Sequence, residues 1–234
     1  ASHHLPAAAR DAGAEFATGH IPGARFLALA SLFDAGSAVP YAMPTPGQLA
    51  ARLALLGVRP EDSIVLYDDS AIRTAARAWF VLTAMGWEHV AILDGGLGLW
   101  REHGLPIESG AVQGTSVSPA ALAPAQRVRT KADMLANIAQ QREQVLDARG
   151  ADRVYGSGID PVHGGPNGRI PGARNLPFGG VLNADGTYKS PDEIRAALTA
   201  AGIDLDQPVA TTCGSGVTAS VLMFAMDLIG KNDT

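Results

Sequence analysis

The only cysteine of the chain, Cys213, lies where a short apolar run meets a glycine-rich turn. The local sequence VATTCGSGVTASVLMFAM predicts a strand, then the cysteine, then a turn, then a helix from about Val217. Backbone N–H groups in the turn and in the first helical turn lack partners, and with the positive end of the helix dipole they favour thiolate over thiol. The pattern therefore indicates a nucleophilic cysteine.

The residues that follow the cysteine fit this chemistry. Gly214 and Gly216 let the backbone curl, so that several N–H groups can converge on one sulfur or on the anionic outer sulfur of a persulfide. Ser215 and Thr218 supply hydroxyls for hydrogen bonding or proton transfer. The alternative is a small buried hydrophobic residue, which is the usual environment of a free cysteine. A purely structural cysteine would not require the two glycines, so we favour the nucleophile.

The elements that position this cysteine occur in two related halves. GHIPGAR (Gly19–Arg25) and GRIPGAR (Gly168–Arg174) share six of seven residues at an offset of 149. A second pair, Thr45–Asp68 and Ser190–Cys213, repeats at an offset of 145. Such self-similarity indicates that the two halves are duplicated domains.

The repeat predicts the domain organisation. We expect an inactive domain over 1–112, a linker over 113–128 and a catalytic domain over 129–234. Asp68 stands in the first half where the second half has Cys213, which is why the first domain is expected to be inactive. Nothing in the second half matches Val90–Leu105, so we expect it to be truncated at its C-terminus.

Short apolar runs alternate with helical patterns in both halves. This alternation predicts an α/β fold in which each domain has a mostly parallel sheet covered by helices. The ligand then lies beyond the carboxyl ends of the strands, where Asp68 and Cys213 fall. The expected strands are Ser63–Tyr67, Val90–Leu93, Gln144–Leu146 and Val209–Thr212, and the expected helices follow Thr45, Thr74, Thr130, Ser190 and Gly216.

Composition excludes several classes of protein. The 234 residues are 47% hydrophobic and 18% charged, as in an ordinary globular protein, and the net charge of −5 argues against a nucleic-acid partner. No apolar stretch is long enough to span a bilayer, and no signal peptide is recognisable. One cysteine excludes a disulfide framework and suits a reducing compartment, so we expect a cytoplasmic protein. The spacing of the six histidines does not predict a metal site.

The Cys213 segment CGSGVTA resembles the active-site loop of the 3-mercaptopyruvate sulfurtransferases, in the two-domain branch of the rhodanese superfamily. Further motifs carry the same resemblance over nearly the whole chain: GHIPGAR, GRIPGAR, LDGGLGLW (Leu93–Trp100), VLDAR (Val145–Arg149) and SPDEIRAAL (Ser190–Leu198). The resemblance implies two tandem rhodanese-like domains with the nucleophile only in the second.

The resemblance also implies an activity and a set of site residues. Sulfur would pass from 3-mercaptopyruvate through a Cys213 persulfide to a thiol, such as that of a reduced thioredoxin-like protein, or to cyanide, and pyruvate would be released. No metal or organic cofactor is expected. Arg153 is the expected substrate-binding residue. The expected catalytic residues are Cys213 and Ser215, and the expected remainder of the active-site loop is Gly214, Gly216, Val217 and Thr218.

The sequence departs from the family at two places. Val162 stands where members usually have a second arginine, and His163, Arg169 or Arg174 are the candidates to replace it. A serine–histidine–aspartate relay is not predicted in full, so water or substrate would transfer the proton.

The alternatives are a thiosulfate sulfurtransferase or a sulfur-carrying module without turnover. Because Gly214 and Ser215 are neutral, they disfavour a dianionic donor such as thiosulfate. A cysteine phosphatase would need an arginine where Ala219 lies.

Overall fold

The computed structural model describes residues 1–5, 8–112 and 114–233. The chain divides into two compact units, Ala1–Gln126 and Arg127–Thr234. The division falls inside the segment 113–128, whose role as a linker stays a prediction. The first residue of that segment, Gln113, and the last residue of the expected catalytic domain, Thr234, lie outside the described residues.

The first unit contains two paired strands and the helices around them. Strand β1 (Ile64–Leu66) pairs in parallel with β2 (Val90–Ile92). A short 3₁₀ helix covers Leu29–Leu32. The α-helices described in this unit are α1 (Ala12–Thr18), α2 (Pro46–Leu55), α3 (Ala75–Ala84) and α4 (Gly96–Glu102).

Local sequence explains where α2 and α3 form. The side chains of Thr45 and Gln48 cap α2 reciprocally, and the proline that follows Thr45 suits the first helical turn. Leu49 and Leu53 are buried on one face of this helix. Helix α3 is apolar on nearly all sides, and it packs against both β1 and β2.

The second unit has a three-stranded parallel sheet. Its order is β4–β3–β5, formed by Arg174–Asn175, Gln144–Asp147 and Val209–Thr212. Its α-helices among the described residues are α5 (Lys131–Gln140), α6 (Ala151–Tyr155), α7 (Pro191–Ala200) and α8 (Val217–Leu228), and a 3₁₀ helix covers Phe178–Val181.

The register of β3 and β5 aligns the ends of the two strands. Asp147 lies opposite Thr212, and the Ala148 amide donates to the Thr212 carbonyl at 2.9 Å. Chain segments that leave these ends, after Asp147 and after Thr212, therefore start side by side. Cys213 is the first residue beyond β5.

Helix α8 packs against β5, and helix α7 packs against α8. Helix α7 begins with a capping box of Ser190 and Glu193, and it buries Ile194 and Leu198. Helix α8 packs against β5 and is buried over most of its length, including Leu222. Because α8 is held in the core, the positive N-terminal end of its dipole is held next to Cys213.

The predicted α/β class with parallel sheets flanked by helices is confirmed. Four of the five observed strands and the five expected helices fall where the sequence indicated them. The sequence pattern does not predict α1, α6 or β4. These elements have seven, five and two residues, which is too short for a hydrophobic period to show. None of the helices described is both long and apolar enough to cross a membrane.

We predict that Leu222→Ala lowers the free energy of unfolding by about 2–5 kcal/mol, because it leaves a cavity beneath α8. The wild-type side chain is 0% exposed. The matched control is Leu228→Ala on the same helix, 44% exposed, which should change the free energy by less than about 0.5 kcal/mol. Urea denaturation followed by circular dichroism measures both, and equal losses would contradict this packing.

Candidate active site around Cys213

The Cys213 sulfur lies at the N-terminus of α8. Its Sγ accepts a hydrogen bond from the Gly216 amide at 3.1 Å, and the residue is half-buried. Gly216 caps the twelve-residue helix with a φ of 78°, a conformation that favours glycine. Several amides were expected to converge on the sulfur, and the described residues show one such hydrogen bond. The helix end adds the favourable dipole.

Gly214 serves a different purpose from Gly216. Its φ is not among the positive values in the chain, so backbone conformation does not require a glycine there. A Cβ at this position would instead overlap the imidazole ring of His163. From the sequence alone, both glycines are expected to serve the curl of the backbone. For Gly214 the structure gives another reason, which is room for a side chain from a different loop.

Arg149 lies beside the cysteine because β3 ends next to β5. Two guanidinium nitrogens, Nε and Nη2, donate to the Asp147 carboxylate at 3.0 and 2.7 Å. These hydrogen bonds with Asp147 are the main cause that raises the pKa of Arg149; burial opposes it, and the charges of Asp160 and Cys213 raise it further. Arg149 therefore places a permanent positive charge where a Cys213 thiolate would be stabilised.

Arg153, the predicted substrate-binding residue, lies in α6 and is held by a carboxylate. Its Nη2 donates to Asp160 Oδ2 at 2.6 Å, and Arg149 Nη1 lies 3.8 Å from the same oxygen. Only 18% of the Arg153 side chain is exposed, so a substrate can reach only a small part of the guanidinium. The structure thus brings Arg153 to a buried ion-pair cluster that also contains Arg149.

Asp160 is the centre of this cluster. Burial favours the neutral acid, but hydrogen bonds from Arg153 and from the Val162 and His163 amides outweigh it and lower the pKa of Asp160 to about 2. The carboxylate is therefore ionised at neutral pH. It joins two arginines to the chain segment that carries His163.

That segment, residues 158–168, forms a closed loop, which we call the Asp160 loop. The Asp160 amide donates to the Gly165 carbonyl at 2.7 Å, and the Gly164 amide donates to the Asp160 carbonyl at 2.9 Å. At the base of the loop the Asn167 amide donates to Gly158 at 2.9 Å. The exposed His163 is thus presented by a loop that is fixed at its turn and at its base.

The predicted loop residues 213–218 are contiguous at the end of β5. Ser215 and Thr218 are half-buried, and Val217 is buried as the first residue of α8. Their chemical roles stay predictions. Sequence reasoning missed Arg149 as a neighbour of the cysteine and Asp160 as the partner of Arg153. The available signal for Arg149 was its position just after β3, where a parallel neighbour of β5 ends.

The first unit has a carboxylate at the related position. Asp68 is buried, and its Oδ2 accepts hydrogen bonds from Thr74 Oγ1 at 2.8 Å and from the Ala75 amide at 3.2 Å. Burial raises the pKa of Asp68, which these hydrogen bonds oppose. The Asp68 side chain therefore caps the start of α3, and this position has no thiol that could act as a nucleophile.

Across the described residues, no group of three or more His, Cys, Asp or Glu side chains is arranged to hold a metal ion. The predicted absence of a cofactor stays a prediction.

We predict that Asp160→Asn destabilises the protein at neutral pH, and that the difference from wild type shrinks as pH falls from about 4 towards 2. Folding lowers the pKa of Asp160 to about 2, so its stabilising contribution is complete above the unfolded-state value near 4 and is lost as pH falls through about 2. Urea midpoints across this range measure the difference. The control is Asp152→Asn in α6, which removes an exposed carboxylate. A constant difference between Asp160→Asn and wild type would contradict the ion-pair cluster.

Comparisons with known proteins agree with this architecture. Residues 9–103 match the family described as "Rhodanese-like domain". The 3-mercaptopyruvate sulfurtransferase of Mus musculus is 37% identical over 100% of this chain and 79% of its own length. The thiosulfate sulfurtransferase of Gallus gallus is 34% identical over 97% of this chain and 79% of its own length.

A solved structure shows the same fold over nearly the whole chain. SseA from Escherichia coli, described with the rhodanese fold and mechanism of the 3-mercaptopyruvate sulfotransferases, superposes with a TM-score of 0.88 at 32% identity. The match covers 98% of this chain and 88% of that one. The resemblance inferred from the motifs is therefore confirmed, and the chain belongs to the rhodanese family of sulfurtransferases.

Proposed function

We propose that this protein transfers a sulfane sulfur from 3-mercaptopyruvate, through a persulfide on Cys213, to a thiol or to cyanide. The observation that carries the proposal is the position of the Cys213 sulfur, which accepts the Gly216 amide at 3.1 Å at the N-terminus of α8. An anionic sulfur is stabilised there both as thiolate and as persulfide. The names of the relatives support the same donor.

In the first half-reaction the Cys213 thiolate attacks the sulfur of 3-mercaptopyruvate. The carbon–sulfur bond of the donor breaks, and its electron pair leaves as the enolate of pyruvate. The proton of the donor thiol ends on the enolate carbon, which completes pyruvate. An anionic persulfide remains on Cys213, so atoms and charge are conserved.

In the second half-reaction an acceptor attacks the outer sulfur. The sulfur–sulfur bond breaks, and its electron pair returns to Cys213 as the thiolate. Cyanide gives thiocyanate, and a thiol acceptor, such as that of a reduced thioredoxin-like protein, receives the sulfur as a persulfide. This is covalent catalysis with two separate half-reactions.

The loop 213–218 has a distinct task at each position. The Gly216 amide stabilises negative charge on sulfur in both half-reactions. Ser215 and Thr218 are near enough in sequence to supply hydroxyls for hydrogen bonding or proton transfer to the enolate. Gly214 and Val217 shape the loop, one by leaving room for a neighbouring ring and the other by anchoring the start of α8 in the core.

Arg153 supplies positive charge for the donor carboxylate. Asp160 holds its guanidinium in place, so little side-chain entropy is lost when substrate binds. Arg149, just after β3, interacts electrostatically with Cys213, and its charge favours the thiolate. Catalysis belongs to the second unit in this proposal, because Asp68 occupies the related position in the first.

Thiosulfate is the second candidate donor, since one relative is a thiosulfate sulfurtransferase. The charges near the cysteine favour the α-keto acid instead. Gly214 and Ser215 bring no cation, and both arginines of the cluster are already engaged by Asp147 and Asp160. A dianion would be poorly neutralised at such a site. A module that carries sulfur without turnover is the remaining alternative.

The proposed reaction uses no metal or organic cofactor. The single thiol suits a reducing compartment, and we place the protein in the cytoplasm as part of the proposal.

We predict that the wild type forms pyruvate and thiocyanate from 3-mercaptopyruvate and cyanide, and that Cys213→Ser forms neither, because serine cannot carry the sulfur. Its urea midpoint should stay near that of wild type, which separates loss of chemistry from loss of fold. We expect kcat/KM for 3-mercaptopyruvate to exceed that for thiosulfate by about tenfold or more, or about 1.4 kcal/mol in the transition state. The reverse preference would refute our interpretation of Gly214 and Ser215, and product formation by Cys213→Ser would refute the nucleophile.

A further inference from the structure

The imidazole of His163 lies against the backbone of the Cys213 loop. A Cβ on Gly214 would overlap its Nε2 and Cδ2 atoms, so the ring occupies the space directly over the residue that follows the nucleophile. Both His163 and Gly214 are exposed. A molecule that approaches the Cys213 sulfur from solvent therefore passes a histidine side chain at contact distance from the loop.

The charged groups near the sulfur leave a substrate carboxylate in need of a further hydrogen-bond donor or positive charge. Asp147 and Asp160 oppose Arg149 and Arg153 in one cluster, two negative charges against two positive ones. A carboxylate-bearing substrate brings one more negative charge than this cluster can neutralise. A histidine can supply an N–H donor at any pH and a positive charge when protonated.

The His163 backbone is held in place by the same cluster. Its amide and that of Val162 donate to the Asp160 carboxylate, which is bound in turn by Arg153. The Asp160 loop closes on itself through hydrogen bonds of Asp160, Gly164 and Asn167. A binding residue on a fixed loop loses little entropy when it contacts a ligand.

We propose that His163 is a specificity-determining residue that binds the carboxylate of the sulfur donor together with Arg153, and that Gly214 is glycine in order to admit its ring. The proposal deepens the function proposed above and rests on it for the identity of the donor. The observation that supports the proposal is the contact of the His163 ring with the Cys213 loop.

The direct test uses alkylation of the single cysteine by two reagents of similar size. Iodoacetate carries a carboxylate and iodoacetamide does not; in both cases the thiolate sulfur bonds to the CH₂ carbon and iodide leaves. The ratio of the two rates reports binding of a carboxylate near Cys213, and it cancels the reactivity of the thiolate. We expect His163→Gln to lower the iodoacetate-to-iodoacetamide ratio by about fivefold. Val162→Ala, a neighbouring exposed side chain in the same loop, should leave it unchanged.

A double-mutant cycle tests the role of Gly214. Gly214→Ala, by displacing the ring, and His163→Ala, by removing it, should each lower the ratio as His163→Gln does, whereas the double variant of Gly214→Ala with His163→Ala should lower it little further. Additive effects of the two substitutions would overturn the link between Gly214 and His163. Circular dichroism checks that each variant is folded.

Turnover distinguishes failure of this inference from failure of the proposed function. If both hold, His163→Gln raises KM for 3-mercaptopyruvate by about fivefold with a smaller change in kcat, as loss of a binding contact requires. If the wild type does not turn over 3-mercaptopyruvate but the alkylation ratio still depends on His163, the donor is wrong and the carboxylate site is supported. An alkylation ratio that is equal in wild type, His163→Gln and Val162→Ala would overturn the inference.

Discussion

The parallel pairing of β3 with β5 is the constraint on which the site depends. Because Asp147 lies opposite Thr212, the segment after β3 and the segment after β5 leave the sheet at the same place. One segment brings Arg149 and Arg153, and the other brings Cys213 and the start of α8. A shift of register by one residue would turn alternate side chains to the other face of the sheet and separate the cation from the sulfur.

Two kinds of positive potential then act on one sulfur atom. The backbone supplies the Gly216 amide and the dipole of α8, and a side chain supplies the charge of Arg149. The arginines are held by Asp147 and Asp160, so the site is preorganised while its net charge stays small. In the proposed mechanism this arrangement would keep the Cys213 sulfur anionic.

The sequence was sufficient for those features that local pattern determines. The strand before Cys213, the helix from Val217, the helices after Thr45, Thr130 and Ser190, and the α/β class all follow from local sequence and hydrophobic period. The Asp160 loop did not follow, because its residues meet Arg153, Arg149 and Gly214 only through the tertiary fold. Gly214 shows the difference most clearly: the sequence gives a glycine, and only the position of the His163 ring explains it.

The persulfide on Cys213 is the central claim, and intact-mass spectrometry tests it most directly. After treatment with 3-mercaptopyruvate and removal of excess donor, the account predicts that the wild type gains the mass of one sulfur atom. Cyanide should remove that mass and release thiocyanate in equal amount, and Cys213→Ser should never gain it. A wild-type mass that stays unchanged while pyruvate is formed, or an added sulfur that persists in Cys213→Ser, would contradict the account.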